Sequence, residues 1–159
     1  MNIEAANMAT VSMKIDIEAP AAKVWEALTS DIGKWWPADF YAGGEDGSRG
    51  FVLEQQPGGR MYEQWDNGGG VLWGNVVGLN PGKKLEVLGS VFPSFGGPTQ
   101  WFGTWDLVAK SDKLTELRFS EVSLGNVSES GTHEKDTGWR YLWSCMHAFI
   151  DGRPAPVWE

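Results

Sequence analysis

The stretch Gly138-Trp139-Arg140-Tyr141-Leu142-Trp143-Ser144-Cys145-Met146-His147-Ala148-Phe149 decides how this chain is read. Its large apolar residues, with Ile150 after them, are Trp139, Leu142, Trp143, Met146 and Phe149, and steps of three, one, three, three and one place them on a single helical face. Arg140, Ser144 and Asp151 take the other face. Ser130, Thr132 or Asp136 is expected to cap the start, Gly152 to end the helix, and Pro154 to prevent its return. Burying one indole removes roughly 150–250 Å² from water, about 4–6 kcal/mol gross before entropy. A helix this one-sided needs a wide apolar partner.

The residues upstream supply one. Val11, Met13, Ile15 and Ile17 alternate with polar residues, which predicts a half-buried strand. Pro20 precedes Ala21 to Leu28, a predicted helix with Val24, Trp25 and Leu28 on one side. Ser30 or Asp31 is expected to cap a second short helix through Ile32, Trp35 and Trp36, stopped by Pro37. Phe40 to Arg49 reads as a glycine-rich loop. Six strand-like runs follow: 50–56, 60–65, 71–79, 84–91, 100–110 and 114–124, separated by turn sequences such as Asp66-Asn67-Gly68-Gly69-Gly70 and Asn80-Pro81-Gly82. Trp101, Gly103, Trp105 and Leu107 are assigned inward, as are Leu117 and Phe119. The order predicts an α+β domain: a curved antiparallel sheet of about seven strands wrapped round a long C-terminal helix, with two short helices after the first strand. Residues 1–159 read as one domain with its core in 11–152.

Composition narrows the function. Thirteen basic against twenty-one acidic residues give a net charge of −8, which argues against nucleic acid and anionic lipid surfaces. A single cysteine, Cys145, rules out an internal disulfide; no signal peptide is expected at Met1 to Thr10 and no membrane span anywhere, so the expected location is the cytoplasm. Ten tryptophans among twenty-one glycines suggest a curved sheet with an aromatic, incompletely filled interior.

Ile15 to Leu28, with Lys34-Trp35-Trp36-Pro37, Gly58-Gly59-Arg60-Met61-Tyr62-Glu63, Leu72-Trp73-Gly74-Asn75-Val76-Val77, Pro81-Gly82-Lys83-Lys84-Leu85 and Gly138-Trp139 opening the last helix, resembles the helix-grip superfamily called SRPBCC. Within it, the ordered set looks like the branch named after the activator of heat shock protein 90 ATPase. The resemblance runs from about Val11 to Gly152. It implies a helix-grip fold and leaves several chemistries open, because lipid carriers, cyclases, hydrolases and co-chaperones share that scaffold.

The first expectation is therefore a cavity between sheet and last helix that binds a small hydrophobic molecule, lipid-like or aromatic. Its expected lining is Trp36, Met61, Glu63, Trp73, Asn75, Trp105, Leu117, Phe119, Trp139, Trp143 and Met146. That these side chains instead fill a dry core is left open. A second expectation is a cyclase- or hydrolase-type enzyme using Glu63 or Glu121 as acid/base. Glu63 shares strand phase with Met61 and Trp65; Glu121 shares it with Leu117 and Phe119. Arg60, Arg118, Asn75 or a water would have to hold an inward carboxylate. For Glu121 a bulge that turns Val122 and Leu124 inward, leaving the carboxylate in solvent, is favoured. A third expectation is a co-chaperone, and a chaperone partner and a homodimer both stay open. His133, His147 and Cys145 give no zinc spacing, so neither metal nor cofactor is expected. Cys145 reads as a small core residue. Trp35-Trp36-Pro37 is either a lid over the cavity mouth or a plug at the bottom of the sheet.

Overall fold

A computed structural model of the chain describes residues 1–44 and 47–158. The alternation that predicts the first strand extends to β1 (Asn7–Ile17), which is followed by α1 (Ala21–Leu28) and the single turn α2 (Ile32–Trp35). Six strands come next: β2 (Ser48–Leu53), β3 (Arg60–Trp65), β4 (Gly70–Asn80), β5 (Lys84–Val91), β6 (Thr99–Ser111) and β7 (Leu114–Gly125). The chain closes on α3 (Glu129–Ile150). All seven strands form one antiparallel sheet in the order β1-β7-β6-β5-β4-β3-β2, so hairpins join β2 to β7 in sequence and β1 returns to pair with β7.

Asp31 stands at the N-cap position of α2, as expected, but its side chain makes no capping hydrogen bond. The Ser30 hydroxyl donates to the Glu26 carbonyl, and Asp31 pairs with Lys34 at 2.8 Å. The loop expected over Phe40 to Arg49 is shorter, because Ala38–Phe40 forms a 3-10 turn and β2 begins at Ser48; its Glu45 and Asp46 lie outside the described residues. The largest difference is at α3. Gly138 does not open this helix but lies within it, buried against Phe40. The cap is Ser128, whose hydroxyl accepts from the Gly131 N–H at 3.1 Å, and not Ser130, Thr132 or Asp136. Apolar periodicity misses the first turns because they are polar and stand beyond the packed part of the sheet. Gly152 ends the helix as expected: at φ 69 it lets the Gly152 and Arg153 N–H groups close on the Phe149 and Ala148 carbonyls.

The core is aromatic because sheet and helix each contribute indoles. Trp143 is 1% exposed; it stacks on Trp139 at 5.0 Å and meets Trp105, Phe119 and Trp35 edge-on or tilted. Strand glycines make room for these rings. Gly89 faces Trp101 across the β5–β6 pair, and a Cβ there would collide with the indole. The inward sets assigned to β6 and β7 hold: Trp101, Trp105, Leu107, Leu117 and Phe119 are all buried. Trp35 is a plug, with its Nε1 donating to the Ala27 carbonyl at 2.7 Å.

Candidate functional site: an aromatic cleft with one buried ion pair

Beside this packed region the sheet and α3 enclose a cleft of about 220 Å³. Trp139 and Leu142 of α3 form one wall. The sheet supplies Phe51, Met61, Trp73, Val91 and Trp101, and the α2 side supplies Trp36 and Phe40. Trp36 is therefore a wall residue, stacked on Phe51 at 4.1 Å, and not a separate lid. Phe40 is backed by the C-terminal segment: Trp158 meets its ring edge-on at 5.3 Å, and the Tyr141 hydroxyl donates to the Pro156 carbonyl at 3.2 Å.

The one polar end of the cleft is made by Glu121 and Lys135. No bulge interrupts β7 near Glu121. The β6–β7 register runs unbroken from Thr99↔Gly125 to Ala109↔Thr115, so the phase of Leu117 and Phe119 continues through Glu121. The expected solvent position for Glu121 is thus overturned: it is 4% exposed. Its Oε1 accepts from Lys135 Nζ at 2.6 Å and Ser123 Oγ at 2.8 Å, and its Oε2 accepts from Trp139 Nε1 at 2.7 Å. Lys135 also donates to Ser123 Oγ at 2.8 Å. A charge buried in this way is held only because it is both paired and hydrogen-bonded.

Glu63 is buried as well, at 1% exposed, yet it sits away from the cleft. The backbone N–H groups of Ala42 and Gly43 and the Trp65 indole N–H donate to it at 2.9, 2.7 and 2.8 Å. It ties down the segment after Phe40. The expected partners of the two carboxylates are engaged elsewhere: Arg60 with Glu54, Arg118 with Glu116, and Asn75 with the Gly58 and Gly59 carbonyls.

Of the residues expected to line a cavity, Trp36, Met61, Trp73 and Trp139 border the cleft. Trp105, Leu117, Phe119, Trp143 and Met146 do not; they fill the core beneath it. Asn75 is displaced outward by the β3–β4 register shift between Met61 and Tyr62. The sequence reading missed Phe40, Phe51, Val91, Trp101, Lys135 and Leu142 as lining. Lys135 lies one helical turn before Trp139, a signal that becomes usable only once α3 is known to begin at Glu129.

Cys145 is buried, and burial pushes its thiol up from the ordinary value. Burial first, and Cys145 second, push the neighbouring Tyr141 phenol up to about 12. Among the described residues, no three His, Cys, Asp or Glu side chains are placed to hold a metal ion. No described helix is long and apolar enough to cross a membrane.

This architecture is the helix-grip fold. No family model matches the sequence, and no curated protein matches it. Solved structures do match in fold. A Mesorhizobium loti protein, MLL2253, is 19% identical with a TM-score of 0.67, over 92% of this chain and 99% of that one. The protein Ara h 8.0201 is 10% identical with a TM-score of 0.68, over 92% and 100%. The Aha1 dimer from Colwellia psychrerythraea is 21% identical with a TM-score of 0.61, over 89% and 96%. Identities this low make the likeness one of fold, shared by proteins with different roles.

Proposed function

We propose that the chain binds a small apolar, ring-containing molecule in the cleft between α3 and the sheet. The observation that carries this reading is a concave space walled by Trp36, Trp73, Trp101 and Trp139 with a single polar end. Indole faces offer broad contact area at little entropic cost, and a few fixed polar groups orient what they hold. The cleft alone is smaller than the roughly 300–1,000 Å³ usual for ligand sites. An adjoining space of about 430 Å³, which shares Trp73, Val91 and Lys135 with it, brings the whole into that range.

The test is a titration of intrinsic tryptophan fluorescence with a panel of lipids, sterols and aromatic polyketides. Saturable quenching by at least one class is expected. Val91→Trp, which fills the junction of the two spaces, should weaken it at least about tenfold while the thermal midpoint holds. Flat titrations across the whole panel would sink the proposal. An acid/base role for Glu121 is the second reading, favoured by its place on the cleft surface; it predicts that Glu121→Gln removes turnover of a bound ligand without abolishing binding.

A further inference from the structure

Lys135 stands where two spaces meet. With Trp73 and Val91 it borders both the aromatic cleft and the larger space beyond. That outer space is mixed: Ala9, Val11, Phe95 and Val127 border it beside Thr99, Ser123, Asn126 and Thr132, with Glu134 as its one further charged side chain among the described residues. The Lys135 side chain is 32% exposed, and its ammonium already donates to Glu121 and Ser123. Glu121 in turn accepts from Lys135, Ser123 and Trp139. The pair is neutral as a unit and satisfied from within.

Each class of ligand head meets this unit differently. A cationic head passing the threshold meets the Lys135 ammonium, the exposed end of the pair, ahead of the Glu121 carboxylate buried behind it, and gains from that carboxylate only by displacing Lys135. An anionic head faces Glu134 and, behind Lys135, Glu121. To gain from Lys135 it must draw the ammonium off Glu121, leaving a buried carboxylate without its counter-charge. The N-terminus of α3 offers an anion little compensation, because Glu129 occupies its first turn and Ser128 already caps Gly131. An uncharged hydroxyl, amide or carbonyl disturbs none of these contacts and finds hydrogen-bonding groups among Thr99, Ser123, Asn126 and Thr132.

On the reading that the cleft binds a ring-containing molecule, we infer that the ligand is a neutral amphiphile. Its apolar body lies among Trp73, Trp101 and Trp139 and its uncharged polar head lies beyond Lys135. The Glu121–Lys135 pair then filters out charged congeners bearing the same body.

The experiment is calorimetric titration of the full chain with four compounds that share one ring system: naphthalene, naphthylmethanol, naphthoate and naphthylmethyl-trimethylammonium. The alcohol should bind at least about tenfold tighter than either ion. In Glu121→Gln, which frees Lys135, the carboxylate should gain on the alcohol. In Lys135→Met, which leaves Glu121 uncompensated, the trimethylammonium compound should gain instead. Circular dichroism checks that each variant is folded, and either variant alone suffices for the comparison. An ion that binds the parent protein as tightly as the alcohol overturns the inference, as does an order of affinities that neither variant changes. If naphthalene binds and its derivatives do not discriminate, only this inference falls. If none of the four binds, the proposed ring-binding function falls with it.

Discussion

Two buried glutamates on one sheet are put to different uses, and their hydrogen-bond donors show how. Among the described residues, Glu63 receives three N–H groups and no cation, two of the N–H groups coming from the backbone of Ala42 and Gly43. Such a carboxylate can fix a loop, since each donor reaches a charged acceptor. Glu63→Gln keeps the shape but turns an amide NH₂ toward donors that need an acceptor. We expect a loss of roughly 1–3 kcal/mol, with faster amide exchange at residues 41–43. Unchanged exchange there would mean the segment is held by Phe40 and Trp158 and not by the carboxylate. Trp143 is the other decisive residue. With rings on several sides and 1% exposure it is core, not cleft wall. Trp143→Ala should cost about 3–5 kcal/mol in urea denaturation. A much smaller loss would show that the void collapses or already communicates with the cleft.

At the scale of elements, α3 does two jobs along its length. Its second half packs against the sheet; its first turns, polar and largely exposed, carry Lys135 across to β7. Those turns have little buried surface to hold them, so the cap matters more than usual. Ser128→Ala should cost about 1 kcal/mol and loosen 129–135 in hydrogen exchange while 139–150 stays protected. Uniform loosening along the helix would contradict this division. The same division explains what could be read in advance. Trp139 to Ile150 announce their helix by apolar spacing, and β1 announces itself by alternation. The first turns of α3 announce nothing, because backbone hydrogen bonds and one cap make them helical. The phase of Glu121 is hidden for a related reason: Val122 and Leu124 after it suggest a phase shift, but both stay on the outer face, where Leu124 is exposed. A buried carboxylate is legible only with its donor, and that donor is on another element.

For the whole molecule, the sequence shows that aromatic surfaces of sheet and helix meet, and leaves open how much of that meeting is filled. Trp105, Phe119 and Trp143 interlock in the packed core, Trp73 and Trp101 face the cleft, and Trp139 belongs to both, stacked on Trp143 at 5.0 Å while bordering the open space. Charge pairs on the outside make the stability of the fold depend on pH. Hydrogen bonding to Arg60 holds the Glu54 carboxyl down to about 2; Arg118 and Arg153 likewise hold Glu116 and Asp151 below their ordinary values. For a carboxylate depressed in the folded state, the unfolded chain binds more protons on acidification. The Glu54 contribution is therefore complete at neutral pH, begins to fade near the ordinary glutamate value of about 4.5, and is gone once the pH falls through about 2. These groups are exposed, so the contribution is modest and screened by salt. Glu54→Gln should lower the urea midpoint at pH 7, and its deficit against the parent protein should vanish near pH 2. About 1 M salt at pH 7 should shrink the deficit in the same way. A deficit equal at both pH values would mean that Glu54 holds the β2–β3 turn by shape and hydrogen-bond geometry and not by charge.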